Sequence, residues 1–230
     1  MHDNLLILGG SGFIGSVLCE KLVRRNQGGG AAIAVATRRR AHARHLQLLP
    51  TVEIVEADIH DDAALSRLVA GRDAVVNLVG ILHGRKADFE CAHVDLARRL
   101  GAACAAAGTR RVVHLGALGA DAGALSLYLR SKAAGEAALL QQSGLAVTSL
   151  RPSVVFGAGD RFLTLFAQMQ AITPLLPLAG GAARFQPVWV EDLAEAIIAA
   201  LDDPATAGQT LECAGPRVYT LAELARLAGQ

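Results

Sequence analysis

The sequence predicts an α/β protein built on a doubly wound parallel sheet, with a small C-terminal lobe. Short apolar runs alternate with longer stretches of helical pattern along the 230 residues. The runs are apolar at almost every position, which is typical of strands that helices cover on both faces of a sheet. Hydrophobic residues make up 52% of the chain and charged residues 19%, so we expect a packed core.

Strands and helices alternate regularly over the first part of the chain. Helices are predicted where apolar residues recur every three to four positions, and two of them end at a glycine, Gly71 and Gly108. Because strands that are joined through helices run parallel, this order indicates a parallel sheet. Strands are predicted at 4–8, 31–37, 52–58, 73–80, 110–116 and 145–152, and helices at 13–26, 41–49, 62–71, 92–108 and 126–143.

The regular alternation of strands and helices stops after residue 152, where Gly, Pro and Phe become frequent. We therefore expect two parts, residues 1–156 and a lobe of residues 157–230 that is interleaved with the first part. The pattern leaves open whether the lobe is complete at Gln230. In this second part helices are predicted near 161–171 and at 190–203 and 220–229, with a strand at 209–215.

The bulk composition excludes several classes of protein. A formal net charge of +1 argues against a general nucleic-acid binder, which would carry a strong basic excess. The four cysteines are far apart and show no metal-ligand spacing, which indicates reduced thiols in a cytoplasmic protein. We see no basic leader, and no apolar run reaches the roughly 18–20 residues of a spanning helix. We expect a soluble protein that could still dock at a membrane surface.

A glycine-rich loop, LGGSGFIGS at 8–16, follows the first strand and opens the first helix. Dinucleotide pyrophosphates bind where a tight turn, a bare backbone and a helix N-terminus coincide, and glycines at these positions allow all three. The alternative is a structural turn. The residues predicted to hold the pyrophosphate are Gly9, Gly10, Ser11, Gly12, Phe13 and Ile14, with Gly15 allowing the helix to pack close.

The end of the second strand predicts which dinucleotide is bound. Sites for NAD place an acid there, whereas this chain has Thr37 followed by three arginines. Arginine grips a 2′-phosphate through paired, charge-assisted hydrogen bonds, so we predict NADP(H) bound mainly by Arg38, with Arg39 or Arg40 assisting. The alternative is a solvated basic helix start. Asp58, followed by Ile59, is predicted to meet the adenine edge, or else to act as a turn or capping aspartate.

The stretch YLRSK places Tyr128 and Lys132 on one face of a predicted helix, about one turn apart. A phenol beside a fixed ammonium group is a plausible proton-handling pair. The segment HLGALGA upstream, at 114–120, contains no side-chain hydroxyl that could assist the pair. Ser126 is the nearest upstream hydroxyl and is interpreted as a helix cap.

Other polar and aromatic residues allow alternative interpretations. His83 and His93 have no ligand partners in the pattern and are interpreted as surface or packing residues. Ser153 faces the predicted cleft or supports a loop, and the set Asp160, Arg161 and Phe162 contacts a substrate or serves the structure. Phe185 and Trp189 wall the cleft or pack in the core, while Glu191 and Asp192 are expected to begin a helix.

Taken in order, GGSGFIG, Asp58, NLVG at 77–80, YLRSK and RPSVVFG at 151–157 resemble the extended and atypical short-chain dehydrogenase/reductases, over essentially the whole chain. More narrowly, TRRR, VEADIHD, YLRSKAAGE and RFQPVWVEDLA resemble the NADPH-binding accessory subunit of respiratory complex I and its bacterial relatives.

The resemblance implies a Rossmann-type fold with a nicotinamide cofactor across the strand C-termini and a small substrate lobe. It implies that Tyr128 exchanges a proton, and that Lys132 holds the nicotinamide ribose and lowers the phenol pKa. Strand four would border that ribose through Asn77, Val79 and Gly80, and the segment after strand six would pass the nicotinamide ring through Pro152 and Val154. It also implies a respiratory-chain or other protein partner, with a position peripheral to the inner membrane.

Two functions remain in competition at this point. The first is an NADP(H)-binding, accessory-subunit-like protein with weak or no turnover that serves assembly, redox sensing or quinone-related metabolism. The second is an active NADP-dependent oxidoreductase or epimerase/dehydratase that acts on a hydroxyl or carbonyl substrate through Tyr128 and Lys132. The resemblance implies a Ser or Thr after strand five that orients the substrate, and this chain has Gly116 and Ala117 there. The missing hydroxyl favours the first function, and the intact YxxxK pattern favours the second.

Overall fold

A computed structural model describes residues 4–27, 29, 32–172 and 178–229. The predicted strand start at residue 31 and Gln230, the last residue assigned to the lobe, lie outside these residues. The strands are β1 (Asn4–Leu8), β2 (Ala32–Thr37), β3 (Val52–Glu56), β4 (Ala74–Asn77), β5 (Arg111–Leu115), β6 (Ala146–Pro152), β7 (Val155–Phe156), β8 (Arg184–Phe185), β9 (Val188–Trp189), β10 (Thr210–Cys213) and β11 (Tyr219–Thr220).

The helices of the described residues alternate with these strands. The α-helices are α1 (Phe13–Arg25), α2 (Asp62–Val69), α3 (Lys86–Phe89), α4 (Leu96–Ala107), α5 (Leu127–Leu140), α6 (Leu163–Ile172), α7 (Val190–Asp202) and α8 (Leu221–Ala228). Two short 3₁₀ segments span Arg40–Leu46 and Pro204–Thr206, and a π-helical turn spans Glu90–Asp95.

The described chain forms a seven-stranded sheet in the order β3-β2-β1-β4-β5-β6-β10, and all neighbouring strands are parallel. The predicted doubly wound α/β fold is confirmed. Chain order reverses between β1 and β4, and in such sheets ligands bind outside the carboxyl ends of the strands at that point. The glycine loop after β1 and the loop after β4 therefore meet at one crevice.

The sheet is buried on both faces, as its uniformly apolar strands require. One apolar cluster packs Leu5 and Ile7 against α1 and α7, and the other packs Leu6 and Leu8 against α2, α4 and α5. These four side chains of β1 have no exposed surface. Burying such a side chain contributes roughly 1.5–3 kcal/mol, which is why the apolar runs dictate the sheet.

Several predicted boundaries shift by one to three residues, and three elements show differences that affect the site or the type of helix. The helix predicted at 92–108 begins six residues earlier, because α3, the π-helical turn and α4 follow one another without a break. The helix predicted at 41–49 is a 3₁₀ segment, which breaks near Ala43. The fourth strand ends at Asn77 rather than residue 80, and the chain then turns along the crevice.

Residues beyond 157 contribute both to the sheet and to a separate layer. β10 pairs with β6, and α7 packs on α1, so part of this region belongs to the main core. By contrast, α6 packs on α8, beside the short pairing of β8 with β11. Among the described residues, no helix has the length and apolar character needed to cross a bilayer.

Candidate cofactor and catalytic site

The loop after β1 has the shape of a phosphate-binding turn. Gly9 has a φ of +81°, and the Gly12 N–H donates a hydrogen bond to the Gly9 carbonyl at 3.0 Å. A left-handed backbone favours glycine because it has no β-carbon. A β-carbon at Gly9 would also lie 3.1 Å from the backbone of Leu78, so this turn abuts the loop after β4.

The first helix begins in direct contact with that turn. A β-carbon at Gly15 would lie 2.4 Å from the Cα of Gly10 and 2.5 Å from the Gly9 carbonyl oxygen. Gly12 is the N-cap of α1, no side chain caps the helix there, and its first turn carries no acid. An uncapped helix N-terminus beside bare backbone suits a diphosphate, because its N–H groups and dipole both favour an anion.

Phe13 lies on the opposite side of this turn, toward the C-terminal part of the chain. Its ring is close to Gly157 and Gly159, which follow β7, and a β-carbon at Gly157 would lie 3.6 Å from the ring. The glycine loop thus lies between the loop that follows β4 and the turn at 157–159. Ser11 and Ile14 are both partly exposed at this turn.

The arginines after β2 divide into two roles. All three arginines are exposed, but only the Arg40 guanidinium is described with a partner: it donates to the Ile54 carbonyl of β3 at 2.7 Å. Thr37 is buried and its hydroxyl donates to the Arg39 carbonyl at 3.1 Å, which fixes the turn. Arg38 and Arg39 therefore remain as candidate phosphate ligands, while Arg40 serves the packing of the 3₁₀ segment on β3.

Asp58 has the turn role that was its alternative interpretation. Its Oδ1 accepts a hydrogen bond from the His60 N–H at 2.9 Å, while Asp61, not Asp58, caps α2. The Asp58 residue is nevertheless exposed, beside the half-buried Ile59. Because β2 and β3 pair with Thr37 opposite Glu56, Asp58 and Arg38 follow adjacent strands at the same edge.

Lys132 is buried at the centre of the crevice. Its Nζ donates to the Leu115 carbonyl at 2.5 Å and lies 3.7 Å from the position a β-carbon of Gly80 would occupy. Burial lowers the pKa of this ammonium group to about 8. A buried lysine of this kind holds a ligand hydroxyl firmly, because little water competes for its protons.

Tyr128 departs from one expectation. Burial raises the pKa of its phenol, which is opposite in direction to the lowering expected from Lys132. The ring packs edge-on against His93, with centroids 5.7 Å apart, and against Phe89 at 6.3 Å. Without cofactor, the surroundings of Tyr128 therefore favour the protonated phenol over the phenolate.

The loop after β4 is held by a buried amide–imidazole pair. The Asn77 Oδ1 accepts from the Val79 N–H at 3.2 Å, and its Nδ2 lies 3.2 Å from Nδ1 of His114 on β5. Burial, and secondarily the Lys132 ammonium, lowers the pKa of His114 well below its usual value, so this imidazole is neutral. Asn77 thus orders the segment Val79–Gly80 beside Lys132.

A partly buried ion pair lies against Gly116, where the resemblance implies a residue with a hydroxyl. A β-carbon at Gly116 would lie 2.9 Å from Oε2 of Glu136 and 3.1 Å from Cγ of Arg151. Glu136 accepts from Arg151 through Nε at 3.0 Å and Nη2 at 2.5 Å, and from Ser149 Oγ at 2.5 Å. A side chain at position 116 would therefore overlap the Glu136–Arg151 pair, and glycine avoids that overlap.

The other serines considered for this role do not replace it. Ser126 is the N-cap residue of α5, as expected, but its side chain makes no capping hydrogen bond. The Ser153 backbone N–H donates to the Cys213 carbonyl at 2.9 Å, which links the end of β6 to β10. Both residues lie beyond the ends of their strand or helix, and neither stands beside Gly116 in the contacts described.

Gly116→Ser is expected to lower the free energy of unfolding by about 1–3 kcal/mol, because its hydroxymethyl group would overlap the Glu136–Arg151 pair. We expect no gain in turnover with any carbonyl substrate. Urea unfolding measures the first effect. Gly181→Ser is the matched control, since a β-carbon there would meet its nearest neighbour at 3.6 Å. Unchanged stability of Gly116→Ser would show that Glu136 and Arg151 can move to make room for the added side chain.

Lys132 is expected to make the stability of the cofactor-free protein rise with pH. The folded pKa of about 8 lies below the ordinary 10.5, so between these values the unfolded chain binds the extra proton. Stability then increases with pH across that window. We expect the free energy of unfolding of the wild type, minus that of Lys132→Met, to grow by about 3 kcal/mol from pH 7.5 to 10.5. A flat difference would mean that Lys132 is not desolvated.

The segment after β6 is pinned on both sides by backbone hydrogen bonds. The Pro152 carbonyl accepts from the Leu118 N–H at 2.9 Å, and the Val154 carbonyl accepts from the Val188 N–H at 3.0 Å. Asp160 serves the structure, because its carboxylate accepts the N–H groups of residues 157 and 162–164. Trp189 is 48% exposed, so it is not a core residue.

His93 is a residue of this site that sequence reasoning missed. It is only 3% exposed, and both of its ring nitrogens make hydrogen bonds at the crevice. The interpretation as a surface residue is wrong, and the interpretation as a packing residue is incomplete. No signal in the sequence marked it, because the π-helical turn that aims its side chain does not have a recognisable residue pattern.

Comparison with known proteins identifies the family of this chain. A family model described as the NAD dependent epimerase/dehydratase family matches residues 5–219. Subunit 9 of the mitochondrial NADH dehydrogenase (ubiquinone) 1 alpha subcomplex from Arabidopsis thaliana is 35% identical, over 96% of this chain and 56% of its own length. The mouse protein of that name is 32% identical, over 96% and 59% respectively.

Two further relatives extend the comparison. Ceramide reductase from Caulobacter vibrioides is 30% identical, over 96% of this chain and 68% of its own length. The structure of DesIV, a dTDP-glucose 4,6-dehydratase from Streptomyces venezuelae with NAD bound, superposes with a TM-score of 0.86 at 25% identity, covering 98% of this chain and 80% of that one. The chain thus spans little more than half the length of the NADH dehydrogenase subunits that it matches.

Proposed function

Because this chain belongs to the NAD dependent epimerase/dehydratase family, we propose that it binds NADP(H) at the carboxyl edge of its sheet and acts with little or no turnover, as an accessory-subunit-like protein. The observation that carries the low turnover is the glycine at position 116, where the resemblance implies a hydroxyl side chain: a β-carbon there would lie 2.9 Å from Oε2 of Glu136, which pairs with Arg151.

The residues of the crevice fit the parts of a dinucleotide. The diphosphate belongs at the N-terminus of α1, over the turn of Gly9–Ile14. The adenine edge belongs beside Asp58 and Ile59, and the nicotinamide ribose beside Lys132 with Val79 and Gly80. The nicotinamide ring then follows Pro152 and Val154. When bound, the nicotinamide would supply hydride transfer, and Tyr128 would exchange the accompanying proton.

The preference for NADP(H) follows from charge at the end of β2. Thr37 offers no carboxylate to bind a ribose 2′-hydroxyl or to repel a 2′-phosphate. Arg38 and Arg39 are exposed directly beyond it, with no acid in the 3₁₀ segment that follows. Guanidinium groups bind phosphate by bidentate hydrogen bonds, so Arg38 carries the preference and Arg39 assists.

A protein partner is the second part of the proposal. The relatives from Arabidopsis and mouse are named as NADH dehydrogenase subunits, which supports a respiratory-chain or other protein partner for this chain and a position peripheral to the inner membrane. Residues 1–156 would hold the cofactor and residues 157–230 would face the partner or a substrate. Cofactor binding would stabilise the fold that the partner recognises.

An active reductase is the second candidate. Tyr128 and Lys132 keep the spacing of a proton-transfer pair, and both line the crevice. The relative from Caulobacter vibrioides is named ceramide reductase and one from Stenotrophomonas maltophilia 2-alkyl-3-oxoalkanoate reductase, so a carbonyl on a long alkyl chain is the substrate class to test. In such a reduction Tyr128 would protonate the alkoxide oxygen.

One experiment separates the two candidates. Binding of NADPH is measured by fluorescence, and its oxidation is followed with alkyl ketones and 3-oxoacyl compounds. Saturable binding without oxidation supports the accessory function. Oxidation that Tyr128→Phe abolishes, and that Tyr219→Phe leaves intact, supports the reductase and overturns low turnover. The absence of NADPH binding would overturn both.

A further inference from the structure

His93 links the loop after β4 to helix α5 through a continuous chain of hydrogen bonds. The backbone N–H of Ile81 donates to Nε2 of His93 at 3.0 Å, and Nδ1 of the same ring lies 2.8 Å from the Ser131 hydroxyl. That hydroxyl donates in turn to the Tyr128 carbonyl at 2.8 Å. The chain therefore runs from the loop after β4 to the first turn of α5.

The donors in this chain assign the imidazole proton. A backbone N–H can only donate, so Nε2 must carry its lone pair toward Ile81. The Ser131 hydroxyl proton is directed to the Tyr128 carbonyl, so Nδ1 must carry the proton and donate to the Ser131 oxygen. Burial, and secondarily the Lys132 ammonium, lowers the pKa of His93 to about 4, which keeps the ring neutral between pH 5 and 8.

The backbone around His93 is shaped to admit this contact. His93 lies in the π-helical turn Glu90–Asp95, and such turns are frequent at functional sites. A β-carbon at Gly135 of α5 would lie 2.1 Å from the His93 carbonyl oxygen, so α5 rests directly on this turn. Gly135 follows Lys132 by three residues, which puts the close approach on the same face of α5 as the lysine.

The imidazole also stands beside the two groups that would hold the ribose. The β-carbon position of Gly80 lies 3.6 Å from Nε2 of His93 and 3.7 Å from Nζ of Lys132. A shift of the Gly80–Ile81 segment would therefore change the opening in front of Lys132. The hydrogen bond from Ile81 to His93 opposes that shift.

We propose that His93, as the neutral Nδ1–H tautomer, is a positioning residue that fastens the Gly80–Ile81 segment to the Tyr128 turn and so sets the width of the nicotinamide-ribose pocket. The inference rests on the proposed function, since it assumes that a dinucleotide ribose enters this pocket. His93 acts through Gly80, Lys132 and Tyr128.

The first test is the dissociation constant of NADPH. His93→Phe keeps a ring but removes both hydrogen bonds, and we expect affinity to fall about tenfold or more because the Ile81 N–H loses its buried partner. His93→Gln can place an amide oxygen near Ile81, so it should recover part of the loss. His83→Phe is the matched control in the exposed loop and should remain within about twofold. Equal affinities for wild type and His93→Phe would overturn the proposal.

The second test uses the wild-type protein without cofactor, so it does not depend on whether a variant folds. In the free wild-type protein at pH 7, nitrogen chemical shifts of His93 should show the Nδ1–H tautomer, and the Ile81 amide should exchange slowly with solvent. An Nε2–H tautomer, an imidazolium, or rapid exchange at Ile81 would overturn the proposal even if NADPH binds. Conversely, a correct tautomer in a protein that does not bind NADPH would overturn only the proposed function.

Discussion

Gly15→Ala is expected to weaken NADPH binding more than about a hundredfold. The added carbon would lie 2.4 Å from the Cα of Gly10 and 2.5 Å from the Gly9 carbonyl oxygen. Real β-carbons do not approach backbone atoms so closely, so α1 must move away from the turn. The diphosphate site requires both in contact, because the turn and the helix N-terminus bind the same anion.

The expected loss is measured by fluorescence titration and by calorimetry, with the free energy of unfolding measured in parallel. We expect the variant to be less stable by about 1–3 kcal/mol, as for other overpacked sites. Gly101→Ala is the matched control, since it is also a buried helical glycine, and a β-carbon there would meet its nearest neighbour at 3.4 Å. If Gly15→Ala bound NADPH as well as the control, the diphosphate would not lie at this helix.

Arg38→Ala is expected to weaken NADPH binding by about 10- to 100-fold while it changes NADH binding by about twofold or less. A hydrogen bond between charged groups contributes about 1.5–3 kcal/mol, and only NADPH carries the extra phosphate. Arg38 is exposed beyond β2, so its removal leaves no buried group unpaired. The ratio of the two dissociation constants is therefore the quantity to measure.

Arg67→Ala on the exposed side of α2 is the control for a general loss of positive charge. It should leave both dissociation constants within about twofold, and raising the salt concentration should weaken NADPH more in the wild type than in Arg38→Ala. An equal loss of NADPH and NADH affinity in Arg38→Ala would mean that this arginine supports the turn rather than a phosphate.

The fold could be predicted from the sequence because apolar periodicity determines it directly. The run Leu5–Leu8 is buried on both faces of the sheet, as its composition indicates. The glycine spacing places the turn and the start of α1, since Gly9 needs a left-handed backbone and Gly15 needs contact with Gly10. Both requirements involve residues that are close together in the sequence, so a short sequence pattern can predict them.

The centre of the crevice could be predicted only in part. Tyr128 and Lys132 lie on one helix, so their spacing was readable, but the phenol pKa depends on burial by Phe89 and His93 from another segment. The pair of Glu136 with Arg151 behind Gly116 joins side chains from α5 and β6, and nothing in the linear order connects them. Long-range contacts of this kind require the folded chain.

The most direct measurement of the central claim is a crystal structure of this protein grown with excess NADPH. The account predicts the diphosphate over the turn Gly9–Ile14, the 2′-phosphate within hydrogen-bonding distance of Arg38, and the nicotinamide ribose on Lys132. A crevice closed by the protein's own side chains at saturating NADPH, or a cofactor bound away from α1, would contradict it.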